Sequence, residues 1–226
     1  MTSVRPTVVA IDGAAGSGKS TLARGLARAL GVPYLNTGLM YRALALRALD
    51  RSLDPADGDA LADLLVFLEF TLSAGGHPRE LEIEGSPPGP DLESRRVEAV
   101  VSEVSRHPVV RARMVEMQRR LAAEGAVIEG RDIASVVFPD ATVKIFLSAT
   151  PEVRAIRRAE QRPREGAAGD ALLARDARDA RVNPHVPAQG AVVIDTTDLE
   201  IEAVLARALE LVRHADDALA PREETP

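Results

Sequence analysis

The sequence predicts an α/β fold of three layers, α/β/α, in which helices cover both faces of a parallel central sheet. Short apolar runs, typical of buried strands, alternate with longer segments of helical periodicity, and this alternation favours a parallel sheet. A glycine-rich segment between the first run and the first helix supports the same arrangement. The five apolar runs lie at residues 7–11, 32–35, 126–129, 143–147 and 191–195.

That glycine-rich segment carries the most specific local pattern in the chain. Residues 13–20 read GAAGSGKS and fit G-x-x-x-x-G-K-[S/T], the pattern of a phosphate-binding loop. The backbone N–H groups of such a loop, at the start of a helix, bind polyphosphate. The pattern therefore predicts a P-loop NTPase fold with a nucleoside triphosphate as ligand. A glycine-rich turn without a ligand is the alternative, and the flanking strand and helix disfavour it.

Two side chains of this loop have expected roles in the chemistry. Lys19 is expected to reach the β- and γ-phosphates, and the Ser20 hydroxyl to bind the Mg²⁺ that accompanies the nucleoside triphosphate. The predicted ATP-binding residues are Asp12, Gly13, Ala14, Ala15, Gly16, Ser17, Gly18, Lys19, Ser20 and Thr21.

The composition restricts the possible partners. The chain has 226 residues, and its net charge of -6 provides no overall basic field for nucleic acid. No apolar run is long enough to span a membrane, and the absence of cysteine excludes disulfides and thiolate metal sites. We therefore expect a cytoplasmic protein that acts on small molecules, without a nucleic acid or membrane partner. We also expect it to be a monomer, although the composition does not bear on this.

Arginine supplies the positive charge that phosphoryl transfer to a phosphorylated acceptor requires. Lys19 and Lys144 are the only lysines among 28 basic residues. Arg42 and Arg131 follow predicted strands, at the edge of the sheet where ligands bind in open α/β folds. For the later arginines a solvated helix face is an equally good interpretation; they are Arg154, Arg157, Arg158, Arg162, Arg175, Arg178 and Arg181.

Asp132 directly follows Arg131 at the end of a predicted strand. A carboxylate in such a pocket can accept a hydrogen bond from an exocyclic amine of a base. A structural ion pair in a turn is the alternative interpretation.

The middle of the chain interrupts the alternation of strands and helices. Residues 54–106 contain a predicted helix at 56–69, a small antiparallel hairpin from 70–72 and 81–83, and a second helix at 92–105. The intervening GSPPGP stretch is incompatible with regular structure. We interpret this region as an insert into the core fold.

Taken in order, the motifs of the chain resemble those of bacterial cytidylate kinases. The first motif is generic, whereas T-G-x-x-Y-R followed by S-E-V-S and G-R-D is specific. The similarity rests on IDGAAGSGKST (11–21), LNTGLMYR (35–42), VSEVSRHPVVR (101–111), IEGRDI (128–133), VVFPDA (136–141), VKIFLS (143–148) and VIDTT (193–197).

The resemblance implies transfer of the γ-phosphoryl group of ATP to CMP or dCMP, with Mg²⁺. By position, it implies that Thr37, Arg42 and Arg131 hold the acceptor phosphate and that Ser102, Arg111 and Asp132 read the cytosine ring. It further implies that Asp179 binds the ribose and that Arg175 bridges the phosphates. The catalytic residues it implies are Lys19, Arg131, Arg175 and Arg181.

The resemblance also implies a division into a core, an NMP-binding region and a LID. The core comprises residues 1–36, 107–156 and 184–215, and the NMP-binding region with its insert comprises 37–106. A short arginine-rich LID at 157–183 and a disordered tail at 216–226 complete the chain. The LID departs from the family because Val182 stands three residues after Asp179, where the family has an arginine. That role therefore falls to Arg178 or Arg181.

Three other interpretations remain open at this point. Another P-loop kinase, for UMP, AMP, shikimate or dephospho-CoA, is disfavoured by the presence of Ser102, Arg111 and Asp132 together. A GTP-hydrolysing switch protein requires an N/T-K-x-D element, and Lys144 stands in VKIF, which does not fit it. An inactive nucleotide-binding scaffold is disfavoured by intact Lys19 in the loop.

Overall fold

The five apolar runs form one parallel sheet, as predicted. The computed structural model describes residues 6–161 and 186–219. The strands of this sheet are β1 (Val8–Gly13), β2 (Tyr34–Asn36), β5 (Ala126–Gly130), β6 (Val143–Ser148) and β7 (Val192–Asp195). The predicted antiparallel hairpin consists of β3 (Phe70–Leu72) and β4 (Leu81–Ile83).

Helices surround the sheet. They are α1 (Lys19–Leu30), α2 (Thr37–Asp50), α3 (Gly58–Leu65), α4 (Arg95–Arg106), α5 (Pro108–Leu121), α6 (Pro151–Gln161) and α7 (Ile201–Leu219). A short 3₁₀ helix spans Pro90–Glu93, and a π-helical turn spans Ile133–Val137.

The strand order β2-β5-β1-β6-β7 places β1 at the centre of the sheet. Every residue of β1 is buried, and its side chains alternate between two apolar clusters. Val9 and Ile11 pack in the cluster that includes α1 and α7, whereas Val8 and Ala10 pack in the cluster that includes α2 and α5. This alternation is why both faces of the sheet need helices.

The predicted insert shares its apolar packing with the sheet. Leu61 of α3, Leu81 of β4 and Val97 of α4 belong to the same cluster of buried residues as Ala10 and Ile128 of the sheet. The insert therefore folds against the core, and the predicted division into core, NMP-binding region and LID stays a prediction.

Several helix boundaries differ from the predicted ones. α3 begins at Gly58 because the Asp57 side chain accepts a hydrogen bond from the Ala60 N–H at 3.0 Å. It ends at Leu65, four residues early, because the chain must extend into β3. The helix predicted at 92–105 is split at Ser94, whose extended backbone separates the 3₁₀ helix from α4. That 3₁₀ helix starts at Pro90, the last residue of GSPPGP, so the prediction that this stretch has no regular structure is wrong for Pro90.

The last helix is longer than predicted. α7 continues to Leu219, four residues into the predicted disordered tail, so that prediction is wrong for residues 216–219. The segment Ala215–Leu219 contains alanine and leucine, which favour helix continuation. Residues 220–226 lie outside the described part of the chain.

Parallel strands bring the residues that follow them to one edge of the sheet. Asp12 of β1 lies opposite Gly130 of β5, and Asn36 of β2 lies opposite Glu129. The loops after β1, β2 and β5 therefore converge at the carboxyl edge, which is where open α/β sheets bind ligands.

Candidate active site

A cavity opens at this edge, between the phosphate-binding loop and helices α2, α4 and α5. Most of the predicted site residues in the described chain line it: Ala15, Gly16, Gly18, Lys19, Ser20, Thr21, Thr37, Arg42, Ser102, Arg111, Arg131 and Asp132. Asp12, Gly13, Ala14 and Ser17 are not part of this lining. Arg175, Asp179 and Arg181 lie outside the described residues.

The phosphate-binding loop has the backbone that its glycines allow. Gly16 and Gly18 have φ angles of 77° and 92°, in the left-handed region where glycine is favoured. A Cβ on Gly16 would lie 2.7 Å from the Arg154 carbonyl oxygen, so α6 packs directly on the loop. Lys19 Nζ donates a hydrogen bond to the Ala14 carbonyl oxygen at 2.7 Å. The lysine side chain thereby lies across the loop that is expected to bind the phosphates.

Two arginines of α6 support this loop from outside. Arg154 is buried and donates through Nη1 to the Ala15 carbonyl oxygen at 3.2 Å. Arg157 donates through Nη1 to Thr196 Oγ1 at 2.9 Å, and that hydroxyl lies 3.2 Å from the Ser17 carbonyl oxygen. The solvated helix face considered for these arginines is therefore wrong for Arg154.

The acceptor side of the cavity is built on α2 and on the segment after β5. Thr37 begins α2, and its hydroxyl donates to the Glu129 carbonyl oxygen at 2.9 Å. Arg42 is buried and donates through Nη1 to the Leu92 carbonyl oxygen at 2.9 Å. Arg131 donates through Nη1 to the Gly13 carbonyl oxygen at 3.1 Å. The two predicted phosphate-binding arginines thus line the same cavity as Lys19.

The same cavity lining includes the residues predicted to read the base. Arg111 and Asp132 form an ion pair, and Ser102 is a buried residue of the lining. Tyr41 also lines the cavity, and burial raises its pKa to about 12. The ion pair of Asp132 is with Arg111 of α5 and not within a turn, and both partners line the cavity. Base reading therefore stays a prediction.

Asp12 has a different environment from the rest of the loop. It is 5% exposed, and its two carboxylate oxygens accept hydrogen bonds from the N–H groups of Ile133 and Ala134, each at 2.8 Å. Burial raises the pKa of Asp12, although these two backbone N–H groups oppose the shift. Asp12 therefore contacts the segment after β5.

The sequence comparisons agree on one family. The model of the cytidylate kinase family matches residues 9–214. A cytidylate kinase of Rhodococcus opacus is 43% identical over 215 residues, which cover 91% of this chain and 94% of that protein. A cytidylate kinase of Mycobacterium leprae is 42% identical over 223 residues, 94% of this chain and 98% of that protein.

The chain belongs to the cytidylate kinase family. This membership confirms the resemblance predicted from the ordered motifs. It does not test the role of any single residue, so the assigned site residues stay predictions.

Sequence reasoning missed several carboxylates at or beside the site, including Glu93 and Glu129 of the cavity lining. Glu129 is buried, lines the cavity, and accepts a hydrogen bond from the Tyr34 hydroxyl at 2.5 Å. Burial and the Glu129 carboxylate together raise the pKa of Tyr34 well above its usual value. An acidic residue at the end of a buried strand beside the phosphate-binding loop was the available signal, because P-loop NTPases hold Mg²⁺ with such a group.

Glu98 of α4, which contacts two arginines of the lining, was also missed. Its Oε1 lies 2.9 Å from Arg158 Nη2 and 3.8 Å from Arg42 Nη2. It therefore links Arg42 of α2 to Arg158 of α6. No sequence pattern identified it, because the three residues lie far apart along the chain.

Among the described residues, no group of three or more histidine, aspartate or glutamate side chains is arranged to hold a metal ion by itself. The described helices also include none with the length and apolar character needed to cross a membrane.

Proposed function

We propose that this protein transfers the γ-phosphoryl group of ATP to CMP or dCMP, giving ADP and CDP or dCDP. Membership of the cytidylate kinase family makes it an ATP-dependent nucleoside monophosphate kinase, as predicted. The observation that carries the choice of acceptor is that Arg111 and Asp132 line the same cavity as Lys19. The residues that we propose bind phosphate and those that we propose read the base thereby line a single cavity.

The donor half of the reaction requires charge neutralisation more than covalent chemistry. The N–H groups of the phosphate-binding loop and the α1 N-terminus stabilise the β- and γ-phosphates. Lys19 exchanges its bond to the Ala14 carbonyl oxygen for the phosphate oxygens. The acceptor phosphate oxygen is the nucleophile, so no residue of the protein needs to form a covalent intermediate.

The oxygen atoms available in the cavity suit Mg²⁺. Ser20 provides a hydroxyl and Glu129 a carboxylate, and both residues line the cavity. Mg²⁺ prefers oxygen ligands, retains several waters, and is commonly shared between a protein and substrate phosphates. When bound, Mg²⁺ supplies positive charge to the β- and γ-phosphates. Ser20 and Glu129 would hold it directly or through its waters.

The acceptor half uses two groups of residues. Arg42 and Arg131, with Thr37, bind the phosphate of CMP, because arginine can donate two parallel hydrogen bonds to it. Asp132 accepts from the cytosine amino group, and Arg111 donates to the ring acceptors. Uracil presents a carbonyl where cytosine presents the amine, so UMP places two acceptors against each other and leaves them unpaired.

The remaining assignments stand on the family resemblance alone. Arg175 and Arg181 are proposed to neutralise the transferring group, and Asp179 to bind the ribose. A monomeric state and a cytoplasmic location likewise stay predictions.

An acceptor panel tests the proposal. Purified protein with ATP and Mg²⁺ is assayed with CMP, dCMP, UMP and AMP, and kcat/KM is measured for each. We expect CMP and dCMP to exceed UMP and AMP by roughly 100-fold, since a site built around a hydrogen bond rejects its mismatch strongly. Equal turnover of AMP would rule out the cytosine assignment. Shikimate and dephospho-CoA are included to test the other P-loop kinases.

A further inference from the structure

We propose that Asp12 is a positioning residue that ties the acceptor loop, residues 130–134, to the phosphate-binding loop, and that it does not contact ATP. The inference deepens the proposed function and rests on it for the identity of the acceptor. It replaces the sequence-based expectation that Asp12 is one of the ATP-binding residues.

The Asp12 carboxylate bonds to the acceptor loop through both of its oxygens. Oδ1 accepts from the Ile133 N–H and Oδ2 from the Ala134 N–H, both at 2.8 Å. Each carboxylate oxygen therefore has a backbone donor on the acceptor loop. Asp12 is 5% exposed and is absent from the cavity lining, so its carboxylate faces this loop and not the nucleotide space.

Burial of the Asp12 carboxylate carries a free-energy cost that its hydrogen bonds offset. A buried carboxylate is expensive unless hydrogen bonds compensate for lost water, and bonds to a charged acceptor are stronger than neutral ones. The two N–H groups from Ile133 and Ala134 provide that compensation. The same bonds satisfy N–H groups of the π-helical turn that starts at Ile133. Carboxylate and turn therefore stabilise each other, which gives the loop a defined position.

The acceptor loop contains two of the proposed substrate-binding residues. Arg131 and Asp132 belong to it, and both line the cavity. A second link runs in the opposite direction, since Arg131 Nη1 donates to the Gly13 carbonyl oxygen at 3.1 Å. Asp12 and Gly13 lead directly into the phosphate-binding loop. The proposed donor site and acceptor site are thus joined through adjacent residues of one strand.

The acceptor loop is closely packed at Gly130. A Cβ placed on Gly130 would lie 2.6 Å from Ile133 Cδ1 and 2.7 Å from Thr37 Oγ1. Gly130, the first residue of the loop, is therefore packed closely against both Ile133 and Thr37, another residue of the acceptor side. In-line phosphoryl transfer is sensitive to small shifts in position, and misplacement by about 1 Å costs on the order of 100-fold in rate.

The decisive variant is Asp12→Asn, which keeps the size of the side chain. One oxygen still accepts a backbone N–H, but the new amide NH₂ faces a donor. We expect kcat/KM for CMP to fall by roughly 30- to 100-fold, as a displaced catalytic geometry predicts. The KM for CMP should rise, while the Kd for ATP, measured by calorimetry without acceptor, should stay within about 3-fold of wild type, because the ATP contacts remain.

Asp63→Asn is the matched control, because Asp63 on α3 is 81% exposed and lies outside the cavity lining. It should resemble wild type in every assay. Loss of ATP affinity in Asp12→Asn with unchanged CMP binding would identify Asp12 as an ATP ligand and overturn the inference. Unchanged kinetics for both substrates would also overturn it.

A measurement on the wild-type protein covers the case in which Asp12→Asn does not fold. Amide hydrogen exchange without nucleotide should be slow at Ile133 and Ala134, because both N–H groups bond to a buried carboxylate. Rapid exchange at both would contradict the inference. If wild type fails to phosphorylate CMP, the proposed function fails. The exchange and ATP-binding results then still decide the structural link separately.

Discussion

Arg111 of α5 and Asp132 of the acceptor loop form an ion pair within the cavity, 21 residues apart in the chain. Their side chains are 20% and 17% exposed, so the pair is partly shielded from water and still reachable from the cavity. A cytosine ring that bonds to both residues would meet a donor, Arg111, and an acceptor, Asp132, that the ion pair already holds in place. The pair thus provides a preformed base site under the proposed function.

The first prediction concerns the reading of the base. Asp132→Asn should lower kcat/KM for CMP by roughly 10- to 100-fold, because a charged acceptor is replaced by an amide. Its NH₂ group can donate to the uracil carbonyl, so the preference for CMP over UMP should shrink or reverse. Steady-state kinetics with both acceptors measure this. Asp140→Asn is the control, because Asp140 is exposed and follows the π-helical turn that begins after Asp132. An intact CMP preference would mean that the Arg111–Asp132 pair is only structural.

The second prediction concerns the loop lysine. Lys19→Ala should reduce kcat by about 1000-fold, since it removes a cation from the transferring group. It should change the free energy of unfolding by about 1 kcal/mol or less, because the lysine acts through its charge and not through packing, and a hydrogen bond such as that to the Ala14 carbonyl oxygen contributes about this much. Kinetics and urea unfolding measure the two effects. Lys144→Ala is the matched control, as Lys144 is the other lysine and bonds the exposed Gln189 carbonyl. A kcat near that of wild type would refute the assignment.

The third prediction concerns the support of the loop by α6. Arg154→Ala removes the bond to the Ala15 carbonyl oxygen and the buried stem of the side chain. We expect the KM for ATP to rise about 10-fold and the free energy of unfolding to fall by about 2–3 kcal/mol. Arg213→Ala is the control, because Arg213 is exposed and donates to the Leu209 carbonyl oxygen within α7. If Arg154→Ala binds ATP like the control, α6 does not position the loop.

The fourth prediction concerns the buried tyrosine. Tyr34→Phe leaves the Glu129 carboxylate without its hydroxyl donor, which should cost about 1–3 kcal/mol of unfolding free energy. Tyr41→Phe, at the other tyrosine of the chain, is the comparison variant. Urea unfolding at neutral pH measures both. No loss of stability in Tyr34→Phe would contradict a buried, paired Glu129.

The same tyrosine predicts a dependence on pH. Burial and the Glu129 carboxylate raise the pKa of Tyr34 in the folded state above the unfolded value of about 10. The hydroxyl proton is thus held more tightly in the folded protein, and this contribution to stability is complete below about pH 10. It decreases as the pH rises further, so the stability difference between wild type and Tyr34→Phe should be constant below about pH 9 and change only above pH 10.

The parts of the site that sequence reasoning recovered depend on local pattern and on strand ends. The phosphate-binding loop was predictable because its glycines, lysine and hydroxyl residue are contiguous. Arg42, Arg131 and Asp132 were predictable because parallel strands deliver their following residues to one edge. The helix boundary at Leu65 was missed because the end of α3 is set by the hairpin that follows, and helical periodicity alone continues past it.

The sequence by itself determined the strands, the phosphate-binding loop and the family of this protein, since each depends on residues close together or on the order of motifs. Only the tertiary structure decided how the loops are held. The bond from Arg154 to Ala15 joins residues 139 apart, and the bond from Ile133 to Asp12 joins residues 121 apart. Hydrogen bonds form between atoms that folding brings within about 3 Å, and no local pattern records which distant partners those will be.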